Sequence, residues 1–295
     1  MRNKKIAITC GAAAVCAAIT VTVFAGFAER PSEYAENTDA PNAFTSTVRG
    51  DWSAGALGKM IKRPAPVYSR PIAESAPEAK PPVFDDPDSY LKYDPENDTY
   101  ILPESEEELC DTALFVGDSI CSGFSAWSAV NAKNVYATGN VAARNMLEYE
   151  MFYLNESAKF VSVLNETKPE RVFFSMGMND VNITSADEFC ANYKEIITTA
   201  LLNSDAEIYV CAITPISNLK FTKLARIDEF NDAMKRFIAK SYYGRVHFVS
   251  FAEPLKDENG LLSERYNGGD GIHLDKQAYF VAIHELYQQV TKAER

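Results

Sequence analysis

Ser119 carries a hydroxyl group in a position that could make it a nucleophile. Residues 113–116 form a short apolar run, typical of a buried strand, and Gly117 breaks that run with a turn. Ser119 then lies where a helix would begin, at the carboxyl end of the strand, where open α/β sheets bind their ligands. The first amides of a helix also favour negative charge. A turn with an N-capping serine has the same local sequence, so this pattern alone leaves both interpretations open.

Other residues supply the groups that a serine nucleophile needs. Asp270 and His273 are three residues apart in a short segment after a glycine-rich loop. A serine needs a base, and a histidine base needs a partner that fixes its tautomer. Asn179 follows an apolar run, and an asparagine amide at the end of a strand can donate to an oxyanion. Gly139 follows another apolar run. These residues together favour a nucleophilic serine over a simple turn.

The four stretches, in this order, resemble the SGNH/GDSL hydrolase family from about residue 111 to the C-terminus. Three of the family's sequence blocks have specific matches here: Gly117-Asp118-Ser119, Gly177-Met178-Asn179-Asp180 and Asp270-Gly271-Ile272-His273-Leu274. The block that contains Gly139 matches more loosely, because a glycine in a loop is common. By this resemblance, the family's four namesake residues are Ser119, Gly139, Asn179 and His273.

The resemblance implies a serine esterase that needs no cofactor. Ser119 would attack the ester carbonyl, with His273 as the base and Asp270 orienting the imidazole. The oxyanion would be bound by the amides of Ser119 and Gly139 and by the side chain of Asn179. We expect Asp118 and Asp180 to be structural, holding loops through local hydrogen bonds.

Three alternatives remain open at this point. The same residues could transfer an acyl group to a sugar hydroxyl, which would make the protein a glycan O-acyltransferase. A lipid or lysophospholipid esterase would also use them. Outside the enzymes, the alternative is a non-catalytic glycan-binding wall protein, which is expected to have lost Ser119, His273 or Asp270. All three residues are present, so catalysis is favoured.

Composition excludes some classes of function. The formal net charge is −12, and no basic face is evident, which argues against nucleic acid as a partner. The chain has three histidines, and no spacing of histidine and cysteine residues in the sequence is typical of a metal site. His247 lies in a predicted strand and His284 in a predicted helix, where a structural role is expected. Arg144 could bind an anionic part of a substrate or could simply lie at the surface.

The N-terminal part of the chain differs in character from the rest. Three basic residues precede the uncharged run 6–27, which is long enough to span a bilayer, so residues 1–28 are predicted to be a membrane anchor or a cleaved signal peptide. The basic side chains would stay in the cytoplasm and the remainder would lie outside. Residues 29–98 are acidic and contain most of the 14 prolines, which predicts a mostly disordered linker.

Residues 99–295 are predicted to form the hydrolase domain, with an α/β fold in which strands and helices alternate. The predicted strands are residues 113–116, 135–137, 171–175, 207–212 and 245–249. The predicted helices are residues 143–154, 186–202, 227–242 and 276–293. Such alternation predicts a three-layer α/β/α arrangement around a parallel five-stranded sheet, and the family resemblance implies the flavodoxin-like strand order 2-1-3-4-5. Buried free thiols are expected at Cys190 and Cys211, and no bridge between Cys110 and Cys121.

The length of the segment between the predicted anchor and the hydrolase domain gives an indication of the substrate. As a flexible coil, the 81 residues from Glu29 to Leu109 would span roughly 50 Å, and as extended polyproline II roughly 250 Å. Such a reach favours a substrate held away from the bilayer, an acylated carbohydrate of the cell surface or wall, over a lipid within it. The family resemblance and the surface location together suggest a small acyl group, with acetyl as the first choice.

Overall fold

Five parallel strands form the central sheet in the computed structural model, which describes residues 90–242 and 244–294. In chain order, the strands are β1 (Lys92–Asp94), β2 (Thr99–Ile101), β3 (Ala113–Gly117), β4 (Val135–Ala137), β5 (Glu150–Tyr153), β6 (Glu156–Lys159), β7 (Arg171–Ser175), β8 (Glu207–Cys211) and β9 (Val246–Val249). The helices are α1 (Glu104–Thr112), α2 (Ser119–Ala126), α3 (Phe160–Thr167), α4 (Ala186–Asn203), α5 (Leu224–Ser241) and α6 (Lys276–Ala293).

The central sheet has the order β4-β3-β7-β8-β9, and every neighbouring pair is parallel. When these five strands are numbered along the chain, the order is 2-1-3-4-5, which confirms the predicted α/β class and strand order. All five predicted strands are present, as are the helices predicted over residues 186–202, 227–242 and 276–293.

Helices cover both faces of the sheet. In β3, Leu114 and Val116 pack in one cluster with α3, α4 and α5, whereas Ala113 and Phe115 pack in a second cluster with α1, α2 and α6. Successive side chains of a strand point to opposite faces, so a strand covered on both sides is apolar throughout. The three-layer arrangement is therefore confirmed.

The predicted helix over residues 143–154 is wrong. Residues 143–148 form successive turns, and β5 and β6 then pair as an antiparallel hairpin. The side chains of Asn145 and Asp180 accept hydrogen bonds from two successive amides of this segment, so those amides are held in a loop. At the hairpin tip, Leu154 and Asn155 both have positive φ angles, 46° and 76°, as a tight type I′ turn requires.

The N-terminal segments described here pack on α6. Tyr100 of β2 lies with its ring centroid 5.3 Å from that of Phe280 in α6. The carboxylate of Glu106 in α1 is buried and bonds Nδ1 of His284 at 2.5 Å. The hairpin of β1 and β2 spans the predicted boundary at residue 99, and the division into residues 1–28, 29–98 and 99–295 stays a prediction.

The membrane anchor or signal peptide predicted over residues 1–28 lies outside the described residues. Among the helices that are described, none has the length and hydropathy needed to cross a membrane. The described cysteines, Cys110, Cys121, Cys190 and Cys211, are unpaired and buried. Burial raises the pKa of every one of these thiols, that of Cys190 to about 11.

Gly123 allows α2 and α6 to approach closely, which yields a stability prediction. A Cβ atom there would lie 1.9 Å from the hydroxyl oxygen of Tyr279, whose buried side chain donates to the Ile120 carbonyl. We predict that Gly123→Ala lowers the free energy of unfolding by about 1–3 kcal/mol in urea titrations, because the added methyl group overpacks the contact between α2 and α6. Helix propensity alone predicts the opposite, a gain of about 1 kcal/mol.

Gly139→Ala is the matched control for this substitution. Its added Cβ would meet its nearest atom at 3.9 Å, so the free energy of unfolding should change by less than about 0.5 kcal/mol. A Gly123→Ala protein as stable as the parent would show that the two helices can separate without cost.

Candidate active site

The turn between β3 and α2 presents Ser119 at the carboxyl edge of the sheet. Ser119 is the first residue of α2, so its amide has no partner within the helix. The turn requires glycine at position 117, because a Cβ there would lie 2.0 Å from the carbonyl oxygen of Ser175 in β7. The absence of a side chain lets the ends of two neighbouring strands meet directly below the serine.

Asp118 fastens this turn to the next loop. Its buried carboxylate caps α2 by accepting from the Ile120 amide at 3.0 Å, and it also accepts from the Gly177 amide at 3.3 Å. Burial raises the pKa of Asp118 to about 6, although the amides of Ile120, Gly177 and Cys121 oppose the shift. The structural role expected for Asp118 is present, but it reaches across to the loop after β7 rather than staying local.

Three of the predicted site residues form one chain of hydrogen bonds. Nε2 of His273 lies 2.9 Å from Oγ of Ser119, and Nδ1 of His273 lies 2.6 Å from Oδ2 of Asp270. An ionised carboxylate can only accept, so Nδ1 carries the proton and Nε2 is left to accept from the serine hydroxyl. The side chains of His273 and Asp270 are 46% and 49% exposed, so the chain of hydrogen bonds opens directly to solvent.

Asp270 is held in its ionised form. Burial would raise the pKa of Asp270, but hydrogen bonds from the side chain and amide of His273 and from the amide of Ile272 outweigh it, so the pKa lies below its usual value. Oδ1 accepts from both amides at 2.8 Å while Oδ2 faces the imidazole. The carboxylate therefore has a fixed orientation as well as a charge.

Two asparagines that the sequence interpretation did not single out hold this segment. Asn218, in the loop after β8, donates its side-chain amide to the Asp270 carbonyl and its backbone amide to the Gly271 carbonyl. Gly271 has φ +76°, and a Cβ there would lie 2.7 Å from the Asn218 nitrogen. Asn267 accepts from the amides of Gly269 and Gly271. The Asn-Gly-Gly sequence was the available signal, since asparagine side chains commonly bond nearby amides in turns.

Gly139 and Asn179 lie together near Ser119. A Cβ at Gly139 would be 3.9 Å from Cβ of Ser119, and no hydrogen bond among the described residues uses the Gly139 amide. Nδ2 of Asn179 donates to the carbonyl oxygens of Gly139 and Val141, at 3.0 and 2.7 Å. Asn179 therefore orients the loop that carries the Gly139 amide through both N–H groups of its side chain, and the direct oxyanion contact expected of that side chain stays a prediction.

A second buried aspartate completes this arrangement. Asp180 accepts from the Ala143 amide at 2.8 Å and from the Arg144 guanidinium at 3.1 Å. Burial raises the pKa of Asp180, opposed by the Ala143 amide and by Arg144. Arg144 also donates to the Asn179 carbonyl at 2.7 Å, so its guanidinium serves the loop structure.

The other two histidines lie elsewhere. His247 in β9 bonds Glu207 at 3.0 Å, and His284 in α6 bonds Glu106, so both have the structural partners that the sequence interpretation expected. Within residues 90–242 and 244–294, no group of histidine, cysteine, aspartate and glutamate side chains has the geometry of a metal site.

Three solved structures are among those to which this chain is similar. A GDSL-like lipase from Bacteroides thetaiotaomicron is 18% identical, with 65% of this chain and 92% of that chain covered and a TM-score of 0.49. A carbohydrate esterase of family 3 from Talaromyces cellulolyticus is 16% identical, with coverages of 61% and 96% and a TM-score of 0.44. A family 2 carbohydrate esterase from Clostridium thermocellum, in complex with cellohexaose, is 17% identical, with coverages of 61% and 63% and a TM-score of 0.45.

The sequence itself identifies the family. No match was found among curated proteins. The sequence model of the GDSL-like lipase/acylhydrolase family matches residues 115–280, which is more than half of the chain and includes the segments of Ser119, Gly139, Asn179, Asp270 and His273. The chain therefore belongs to the GDSL-like lipase/acylhydrolase family and is a carboxylic ester hydrolase.

Proposed function

We propose that this hydrolase removes a small acyl group, acetyl in the first instance, from a carbohydrate outside the cytoplasm, with Ser119, His273 and Asp270 as its catalytic residues. The observation that carries the catalytic part is the chain of two short hydrogen bonds from Ser119 through His273 to Asp270. Such a chain is recognised by its geometry rather than by the order of its members in the sequence.

The first half of the reaction acylates the serine. Oγ of Ser119 attacks the ester carbonyl carbon while its proton passes to Nε2 of His273. The carbonyl oxygen becomes an oxyanion, which the amides of Ser119 and Gly139 can bind, because neither amide is used by the described hydrogen bonds. The tetrahedral intermediate then collapses, the bond to the alcohol oxygen breaks, and His273 returns the proton to that oxygen.

The second half releases the acid. A water molecule takes the place of the alcohol and gives its proton to Nε2 of His273 as it attacks the acyl-serine. Collapse of the second tetrahedral intermediate breaks the bond to Oγ, and His273 protonates the serine again. Asp270 keeps its charge throughout and stabilises the imidazolium that forms in each half.

The openness of the site supports a bulky alcohol. Nearly half of the His273 and Asp270 side-chain surfaces is in contact with solvent, so the leaving alcohol can belong to a large polymer that stays outside the protein. The basic residues before the run 6–27 and the long proline-rich segment after it support a tethered domain outside the cytoplasm, or a secreted one if the segment is cleaved.

An apolar lip beside the site favours a second candidate, an esterase for lipids or longer acyl chains. The lip consists of exposed apolar residues in the loops after β7 and β8, namely Ile183, Leu219 and Phe221, of which the first two are 65% and 53% exposed. Asn182 donates to the Phe221 carbonyl, which joins the two loops, and Asn218, next to Leu219, bonds Asp270. Exposed apolar side chains that cluster near a site often contact an apolar ligand.

The base and its partner should differ in their effect on the rate. We predict that His273→Ala lowers kcat by roughly 10⁴-fold or more, because no group remains to take the serine proton, and that Asp270→Ala lowers it less. His247→Ala is the matched control, since this histidine also bonds a carboxylate but lies outside the site. Steady-state kinetics on 4-nitrophenyl acetate measure all three, and parental activity in His273→Ala would identify another base.

Asn179→Ala should destabilise the transition state more than the bound substrate. The substitution removes both donors to the Gly139–Val141 loop, so we predict a loss of about 10²–10³ in kcat with little change in KM. Initial rates over a range of ester concentrations separate the two constants. A normal kcat with a raised KM would assign Asn179 to substrate binding instead.

Acetate release tests the proposed substrate class. The full chain, incubated with isolated O-acetylated wall polysaccharide, should release acetate measured by an enzymatic assay, and Ser119→Ala should reduce the rate at least about 10³-fold. Octanoyl esters and lysophospholipid, assayed alongside, test the second candidate. Fast hydrolysis of these lipids without acetate release from the polysaccharide would overturn the carbohydrate assignment and favour the lipid esterase.

A further inference from the structure

A second cleft, of about 190 Å³, opens between the N-terminal segments and the loop that follows α2. It shares no lining residue with the site around Ser119. Its lining includes Tyr100, Glu107, Asp111, Ser128, Asn131 and Phe280. A cavity of about 150 Å³ can hold a benzene ring. This cleft therefore has room for one six-membered ring, and it is smaller than the roughly 300 Å³ or more that drug-sized ligands occupy.

Aromatic rings lead from the surface into the cleft. Tyr93 is half exposed, and its ring centroid lies 5.3 Å from that of Tyr100, its cross-strand partner in the hairpin. The Tyr100 ring lies 5.3 Å from that of Phe280, which is buried behind it, so Tyr100 is the aromatic residue that a ligand in the cleft can contact. Aromatic side chains offer large, rigid contact surfaces, and the C–H groups on one side of a pyranose ring pack well against them.

The polar groups of the cleft fit hydroxyl groups. Glu107 and Asp111 are four residues apart on α1, so they lie on one face of the helix, and both are exposed. Ionised carboxylates accept strong hydrogen bonds from hydroxyls. Asn131 accepts from the Lys133 amide through Oδ1, so its Nδ2 is the group that can donate to a ligand. Asp111 is within 4.0 Å of the Lys133 ammonium, so the carboxylate of Glu107 is the group on this wall that disfavours an anionic ligand.

The rim of the cleft is held in a fixed conformation. Ser128 has φ +58°, the left-handed conformation that commonly ends a helix, and its amide donates to the Ser125 carbonyl at 3.0 Å. Across the cleft, the hairpin is attached to the start of α6 by an ion pair between Lys276 and Asp98, at 2.6 Å. The ligand would therefore meet walls that are already in position.

We propose that this cleft is an accessory subsite for one neutral pyranose ring of the carbohydrate whose ester is hydrolysed at Ser119. This inference rests on the proposed function and goes beyond it by naming the charge and size of the sugar bound. Ser119 begins α2 and Ser128 follows the end of that helix, whose eight residues span about 12 Å. The cleft would thus hold a different ring of the chain from the esterified one.

Binding can be measured through a neighbouring tryptophan. The sequence has two tryptophans, so Trp52→Phe in the full chain leaves Trp127, which precedes Ser128, as the fluorescent reporter. Xylotetraose, cellotetraose and chitotetraose are titrated separately, with tetragalacturonate as the anionic probe. We expect saturable quenching or enhancement with at least one neutral tetrasaccharide and none with the uronate. No response to any neutral tetrasaccharide, or equal binding of the uronate, would overturn the inference.

Two neighbouring glutamates provide matched variants. Glu107→Ala removes a carboxylate from the cleft wall, whereas Glu108→Ala removes an equally exposed carboxylate that does not line it. Alanine is the best helix former, so both variants should fold. We expect Glu107→Ala to raise the Kd of the neutral tetrasaccharide and the KM for its O-acetylated form about tenfold. Glu108→Ala should match the parent, and hydrolysis of 4-nitrophenyl acetate should be unchanged in both.

The outcomes separate this inference from the proposed function. If the parent hydrolyses the acetylated tetrasaccharide and Glu107→Ala keeps the parental Kd and KM, the subsite is wrong and the carbohydrate esterase stands. If the parent does not hydrolyse it, the proposed function fails, and the fluorescence titration of Glu107→Ala against Glu108→Ala still decides whether the cleft binds a sugar. A fall in 4-nitrophenyl acetate hydrolysis in Glu107→Ala alone would assign Glu107 a structural role and overturn the subsite.

Discussion

The buried carboxylate of Asp118 makes the contact on which the active-site geometry depends. It joins the cap of α2, and so the orientation of Ser119, to the amide of Gly177 at the start of the loop that carries Asn179. Asp180 lies in the same loop after β7 and makes an equivalent contact to the loop after β4 by accepting from the Ala143 amide. Neither carboxylate can be replaced by an apolar group without leaving buried amides unpaired, which costs about 1–3 kcal/mol each. These two buried carboxylates thus connect the loops that follow β3, β4 and β7.

The sequence predicted the sheet because its strands are buried on both faces and read as continuous apolar runs, as in residues 113–116 and 171–175. It predicted the residues around Ser119, His273 and Asp270 because short motifs carry them. It failed over residues 143–154, where apolar residues suggested a helix, since the Ala143 amide at the start of this segment donates to the side chain of Asp180, which is distant in sequence. The role of Asn218 was missed for the same reason, because its partners lie some fifty residues away.

Two surfaces away from the hydrogen-bonded chain of Ser119, His273 and Asp270 differ in chemistry. The lip formed by Ile183, Leu219 and Phe221 is apolar and adjoins the loop that orients Asp270, whereas the cleft between α1 and residues 128–131 combines aromatic rings with carboxylates. An ester with an apolar acyl chain would gain from the first surface and a neutral sugar from the second. Under the two proposals above, segments around the sheet, the N-terminal hairpin among them, determine the specificity of this hydrolase, while the reaction depends on loops at the carboxyl edge of the sheet.

We propose that Ser119 is the nucleophile and that His273 activates it. The most direct measurement is peptide mass spectrometry of the full chain after reaction with a serine-directed fluorophosphonate. We expect a single phosphonyl adduct on Ser119, and much slower labelling of the same serine in His273→Ala, because the hydroxyl has then lost the group that takes its proton. An adduct on another serine, or labelling of Ser119 at the parental rate without His273, would contradict it.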